Sequence, residues 1–232
     1  MADGTYINVR TFNLPYGDYR GSFSDNPFVL QAVQRVPEES KGKYMEEAVT
    51  SFGEIVRQGN GDFVFASSPS DMIEMIENFL RKEAGKDVDI VICLDTTGSM
   101  GPYIDGVRKM LIPMMQRTIV EFTNWRIGMV LYRDYPPDIY ITKLMPFTRD
   151  FSYFQRYLNT ATAWGGGDIP EAVNEALYDG ADKFPWAAES RLLILIGDAP
   201  PHPEQRGRTT RGMVYQIVED KGLKVSAILL SQ

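Results

Sequence analysis

Three oxygen-bearing side chains, Asp95, Thr97 and Ser99, stand at every second position of Asp95-Thr96-Thr97-Gly98-Ser99-Met100. An extended chain carries residues with this spacing on one side. One carboxylate and two hydroxyls facing one way make a hard-oxygen set suited to a small divalent cation, Mg²⁺ above all. Two further acids sit in comparable places. Asp198 follows the apolar run Arg191–Ile196 in Ile196-Gly197-Asp198-Ala199-Pro200, and Asp168 lies in Gly165-Gly166-Gly167-Asp168-Ile169-Pro170-Glu171. The glycine triplet lacks the Lys-Ser/Thr ending of a phosphate-cradling loop. His202 is the single histidine; with no second histidine or nucleophile beside it, it reads as a surface loop residue. Asp105, Asp134 and Asp138 read as caps or turn formers.

The elements that must position these groups are legible as apolar runs and periodicities. Val88–Leu94 is an apolar run, broken only by Asp89, that leads to Asp95, and a helix pattern follows from Gly101 to Thr123, with Ile104, Val107, Leu111, Met114, Met115, Ile119 and Phe122 at three-to-four spacing. Trp125–Tyr132 and Ile139–Leu144 read as strands joined by the turn Arg133-Asp134-Tyr135-Pro136-Pro137-Asp138. Residues 150–160 read as a short helix. A further helix runs to Lys183, with Asp168 as its N-cap and Pro170 in its first turn, burying Ala172, Val173, Ala176 and Leu177. Arg191–Ile196 and Lys224–Leu230 read as strands on either side of a helix over Thr210–Asp220. Apolar strands alternating with helices predict an α/β fold: a doubly wound, mostly parallel sheet of about six strands, covered on both faces. Ligands of such sheets bind beyond the carboxyl ends of the strands, where Asp95 and Asp198 lie.

Bulk properties narrow the function. The 232 residues carry 24 Lys plus Arg against 31 Asp plus Glu, a net charge of −7, which argues against nucleic acid as the main partner. No apolar run approaches the length of a membrane span. Residues 1–20 show no secretory signal pattern. The single cysteine, Cys93, excludes an internal disulfide and reads as a small buried hydrophobe inside its strand.

Taken together, the motifs resemble the von Willebrand factor A domain, also called the integrin I-type domain. The resemblance covers residues 87–230. Asp95, Thr97 and Ser99 match that family's Asp-x-Ser-x-Ser motif with Thr in place of the first Ser, and Asp198 matches its late Asp. Asp168 stands where the family usually has Thr; Thr162 is a fallback for that position. Asp-Thr-Thr-Gly-Ser-Met, Tyr132-Arg133-Asp134 and Gly-Gly-Gly-Asp-x-Pro-Glu are similar to a subset that includes hemicentin-like and α-kinase-linked domains. The resemblance implies a metal-ion-dependent adhesion site in a Rossmann-like fold. Its cation, Mg²⁺ with Mn²⁺ or Ca²⁺ as substitutes, would be held by Asp95, Thr97, Ser99, Asp168 and Asp198. One coordination position would stay open for an acidic side chain of a protein ligand, with Met100, Tyr103, Thr162 and Trp164 fringing the site. The carboxylate at Asp168 would tighten the metal and lessen its pull on an acidic ligand. The resemblance also favours an extracellular or cell-envelope setting.

The order of the elements is unusual for that family, whose fifth strand is normally followed by a helix, a sixth strand and a closing helix. Here the last strand is Lys224–Leu230. A helix pattern over Tyr44–Arg57, a strand over Asp62–Ala66 and a helix over Met72–Lys82 precede the core. We therefore expect a circular permutation. In that reading residues 38–86 supply the sixth strand and last helix, residues 87–232 form the core with the metal site, and residues 1–37 form an extension in which Thr5–Phe12 alternates like a strand. An unpaired edge beside Lys224–Leu230 would otherwise be a liability.

The expected function is a non-enzymatic, metal-dependent binding module for adhesion or scaffolding. The alternative is a phosphotransferase of the haloacid-dehalogenase type, which also places an Asp after its first parallel strand. Such enzymes require a second Asp two residues on, where this chain has Thr97.

Overall fold

The computed structural model describes residues 42–232, so the expectations for residues 1–37 lie outside the described residues. Along the chain run α1 (Glu46–Gln58), β1 (Asn60–Ala66), α2 (Pro69–Arg81), β2 (Asp87–Asp95), α3 (Gly101–Thr118), β3 (Asn124–Tyr132), β4 (Thr142–Thr148), α4 (Phe151–Leu158), α5 (Val173–Asp182), β5 (Ser190–Gly197), α6 (Arg211–Asp220) and β6 (Lys224–Leu230). The strands form one six-stranded sheet in the order β1-β6-β5-β2-β3-β4. Every pairing is parallel except that of β4 with β3. The expected α/β architecture is therefore the observed one.

The alternation of β2 splits the core in two. Ile90, Ile92 and Leu94 pack with residues of α2, α3 and α4 on one face, whereas Val91 and Cys93 pack with residues of α1, α5 and α6 on the other. Burial on both faces is why this strand is apolar at every position from Ile90 to Leu94 rather than at alternate ones. Helix starts follow from local chemistry. Ser68 caps α2 by accepting from the Asp71 amide, Asp150 caps α4 by accepting from the Ser152 and Tyr153 amides, and Thr210 caps α6 by accepting from the Met213 amide.

The strand that precedes β2 in sequence lies beside the last one. β1 pairs with β6 in register Phe63↔Ala227, Val64↔Ile228 and Phe65↔Leu229. The Ser231 amide continues the pairing by donating to the Ala66 carbonyl at 3.0 Å. β1 thus covers one edge of β6, which has a neighbour on both edges. Gly61 permits the approach, because a Cβ there would lie 2.0 Å from the Val225 carbonyl oxygen.

Several boundaries differ from expectation, three of them in ways that bear on the site or the helix ends. α3 stops at Thr118 and passes into a 3₁₀ turn over Ile119–Glu121. β4 begins at Thr142 rather than Ile139, and the residue before that stretch, Asp138, accepts from the Gly166 amide. α5 begins at Val173, with Ala172 and not Asp168 at its N-cap. The amides of Glu171 and Ala172 are taken by the carbonyls of Pro200 (2.9 Å) and Arg133 (3.1 Å), which holds this stretch extended against neighbouring loops.

Gly61→Ala should cost about 2 kcal/mol or more in urea unfolding, since backbone must move to admit the methyl. Gly53→Ala in α1, where the nearest atom to a new Cβ is 3.8 Å away, should instead stabilise by about 0.5–1 kcal/mol.

Candidate metal centre

Three loops meet at the carboxyl edge of the sheet: those leaving β2 and β5 and the one entering α5. Asp95, the last residue of β2, is wholly buried. Its Oδ1 accepts from both the Thr97 amide and the Thr97 hydroxyl at 2.8 Å, which fixes the turn into the 3₁₀ segment Gly98–Met100. Ser99 Oγ lies 3.5 Å from Thr97 Oγ1. Asp198 follows directly on β5 and is buried. Glu171 is brought in by the bond from its amide to Pro200, in a short bridge alongside Pro201. Gly166, at φ +80°, lets the α5 loop close over these groups: a Cβ there would lie 3.1 Å from Glu171 Oε1 and 3.2 Å from Thr97 Cβ.

Of the four buried carboxylate oxygens without a hydrogen-bond partner among the described residues, three, Asp95 Oδ2, Glu171 Oε2 and Asp198 Oδ1, belong to this group, the fourth being Glu175 Oε1. Thr97, Ser99, Glu171 and Asp198 line a common cleft of about 190 Å³. Leaving a buried acceptor bare is costly, and gathering several acids out of water is more so. The acids respond accordingly. Burial, reinforced by the charge of Asp198, lifts Asp95 to about 7. Burial, reinforced first by Asp95 and then by Asp134 and Asp198, lifts Glu171 to about 10. Asp198 is raised by burial and held back by a hydrogen bond from Ser99. A desolvated set of hard oxygens with unused lone pairs, beside two hydroxyls, is a donor set that fits a divalent cation.

Asp95, Thr97, Ser99 and Asp198 therefore come together as expected from the sequence. Asp168 does not join their bare oxygens. It lies at the mouth of the cleft, its side chain 55% exposed and paired with Arg206 at 3.2 Å. The buried acid supplied by that loop is Glu171, which sequence reasoning missed. The signal was its place as the final residue of Gly-Gly-Gly-Asp-x-Pro-Glu, obscured by starting the helix at Asp168. Met100 and Tyr103 do not fringe the site. Both are buried in the core, and the Tyr103 hydroxyl bonds Ser231, because α3 turns its first apolar residues under the sheet edge. Thr162 Oγ1 accepts from Arg133 at 3.1 Å. Trp164 is 57% exposed, with the Arg133 guanidinium 5.8 Å from its ring centre.

His202 is not a surface residue either. Its side chain is 8% exposed, and Nε2 lies 2.5 Å from Oδ1 of Asp134, itself buried. Burial raises Asp134, with His202 pulling the other way, while Asp168 is lowered by its contact with the Asp134 carboxyl and then by Arg206.

A doubly wound α/β sheet with acids and hydroxyls gathered at its carboxyl edge defines the general class. The model of the von Willebrand factor A domain matches residues 89–232, and the chain belongs to that family. Among curated proteins it is 32% identical over 123 residues to a protein of Acanthamoeba polyphaga mimivirus described as ariadne-like with a RING finger, covering 52% of this chain and 12% of that one. It is 30% identical over 130 residues to the alpha-protein kinase vwkA of Dictyostelium discoideum, covering 53% and 20%. The chain thus spans no more than a fifth of either relative. Among solved structures, the pilus adhesin SpaC of Lactobacillus rhamnosus GG aligns with TM-score 0.40 and 17% identity, over 50% of this chain and 16% of the adhesin. An aerotolerance-related membrane protein of Bacteroides fragilis aligns with TM-score 0.34 and 13% identity, over 61% and 90%.

The raised acids set a pH dependence. A carboxyl whose folded value lies above its ordinary one stabilises the fold fully only below the ordinary value and loses that contribution as pH rises through the folded one. Without a divalent cation, melting temperature should therefore fall between pH 5 and pH 8, the window spanned by Asp95 at about 7 and the lower flank of Glu171 at about 10. Glu171→Gln should flatten that decline and stabilise the chelated protein at pH 8 by about 1 kcal/mol or more. Calorimetry in chelator across this range checks both.

Proposed function

We propose that this chain is a non-enzymatic protein-binding module whose ligand site is built on a divalent cation. Asp95, Thr97, Ser99, Asp198 and Glu171 would hold the ion, and Mg²⁺ suits them because every donor is a hard oxygen. The single observation that carries this reading is the set of three bare buried carboxylate oxygens on the mutually repelling acids Asp95, Glu171 and Asp198, the last two of which line one cleft. When bound, the ion supplies a positive charge that offsets their repulsion and attracts an acidic side chain of a partner.

In this reading Glu171 takes the part that the family resemblance gave to Asp168. A third carboxylate tightens the ion and weakens its pull on an outside acid, so the partner must gain more from surrounding contacts. Trp164 and Ile169, both exposed on the loop that closes the cleft, would provide apolar area for them. The family and the metal-compatible cleft support this reading over phosphoryl transfer, which wants a second acid where Thr97 stands. We further propose that residues 38–86 are the displaced closing segment of a circularly permuted domain; the β1–β6 pairing supports it.

The test is the response to Mg²⁺. In a metal-stripped chain, Mg²⁺ at a hundredfold excess over its dissociation constant should stabilise the fold by about 2.7 kcal/mol. Asp95→Ala should abolish this shift and Glu171→Gln should reduce it, while Asp168→Asn should leave it within about 0.5 kcal/mol of the parent. Absence of any shift in the stripped parent would refute the reading.

A further inference from the structure

Beside the oxygen-lined cleft lies a second cluster of different chemistry. Asp134 on the loop after β3, Asp168 on the loop before α5 and His202 on the loop after β5 each bring one donor atom to within 4.8 Å of the others. Two of the three are fixed in place. The side chains of Asp134 and His202 are 5% and 8% exposed, and His202 Nε2 points at the Asp134 carboxylate. The backbone behind them is tied as well. The Asp134 amide donates to Asp138 Oδ2, which also accepts from Gly166, and the Ala172 amide donates to the Arg133 carbonyl. Only Asp168 is open to solvent.

We propose that Asp134, Asp168 and His202 form a second cation site, adjoining the oxygen-lined cleft at Asp168, that takes a borderline transition-metal ion of the zinc class. An imidazole with two carboxylates is a nitrogen-and-oxygen set of the kind Zn²⁺ accepts, with three protein ligands and a fourth position open to water. Mg²⁺ and Ca²⁺ prefer oxygen alone, so the two sites differ in selectivity. Arg206 holds the cation's place. Its Nη1 lies 3.2 Å from Asp168 and 3.6 Å from Asp134, supplying the positive charge that two acids side by side require. Its side chain is 42% exposed, and a solvent-exposed ion pair of this kind is worth little, so the guanidinium can leave the acids for water when an ion enters. Because Glu171 and Asp198 ride on the same two loops as Asp168 and His202, an ion here would also pin the walls of the first cleft.

The sole histidine makes the test direct. A chain free of any affinity tag, held in millimolar Mg²⁺, is titrated with Zn²⁺ while the His202 ring nitrogens are followed by ¹⁵N NMR. The expected result is a large shift of the ring resonances that saturates at one Zn²⁺ per chain and is not produced by Mg²⁺. His202→Gln should weaken Zn²⁺ binding by about 100-fold or more, Arg206→Ala should tighten it, and Asp95→Ala should leave it intact. Ring resonances that do not move when Zn²⁺ is in excess would overturn the proposal. So would Zn²⁺ binding that disappears in Asp95→Ala and survives in His202→Gln, since the ion would then be occupying the first cleft. The ring signals come from the unmodified chain, so they decide the matter even if His202→Gln fails to fold.

Discussion

Repulsion among acids withdrawn from water governs the functional end of this molecule. Asp95 at the end of β2 and Asp198 and Glu171 on two loops gather at one edge of the sheet, each with a carboxylate oxygen that nothing among the described residues satisfies. Such an arrangement opposes folding at neutral pH unless a positive charge joins it. The surrounding architecture is therefore best understood as a frame rigid enough to hold these groups together in spite of their charges. The Thr97 amide and hydroxyl both clamp Asp95 Oδ1, which leaves Oδ2 without a hydrogen-bond partner among the described residues.

The frame is the sheet. β2 and β5 are neighbours whose residues are buried on both faces, so the points at which Asp95 and Asp198 emerge are set by parallel pairing from Val88↔Ser190 to Leu94↔Ile196. The third arm comes from a loop and needs other anchors. Main-chain bonds from Glu171 to Pro200 and from Ala172 to Arg133 stitch it to the loops after β5 and β3. β1 covers the outer edge of β6, which leaves the apolar β6 as an interior strand. At the far end of β2, Asp89 accepts two bonds from Arg126, at 2.7 and 2.6 Å, and two more from the Ala187 and Ala188 amides. Fully partnered, Asp89 is lowered despite its burial, whereas Asp95 on the same strand is raised.

Much of this could be read from the chain. Apolar runs such as Ile90–Leu94 and Lys224–Leu230 announce buried parallel strands, and spacing by two announces the cluster at Asp95, Thr97 and Ser99. What escaped depends on long-range bonds. Asp168 and Glu171 are three residues apart in one motif, and local pattern favours Asp168 as a helix cap. Capture of the Glu171 amide by Pro200, from a loop some thirty residues on, delays the helix and turns Glu171 inward. The same holds for His202, a lone histidine in sequence that is half-buried with its ring against Asp134 from a distant loop. Met100 and Tyr103 were misplaced because the direction in which α3 leaves the sheet edge is a matter of tertiary packing, which periodicity does not encode.

Anomalous diffraction from crystals grown in Mn²⁺, a scattering substitute for Mg²⁺, tests the central claim most directly. The account predicts a peak within bonding distance of oxygens from Ser99, Asp95 or Asp198 and Glu171, directly or through one water, with Asp168 not among its ligands. A peak ligated by Asp168 while Glu171 points away, or no peak in that cleft at saturating Mn²⁺, would contradict it.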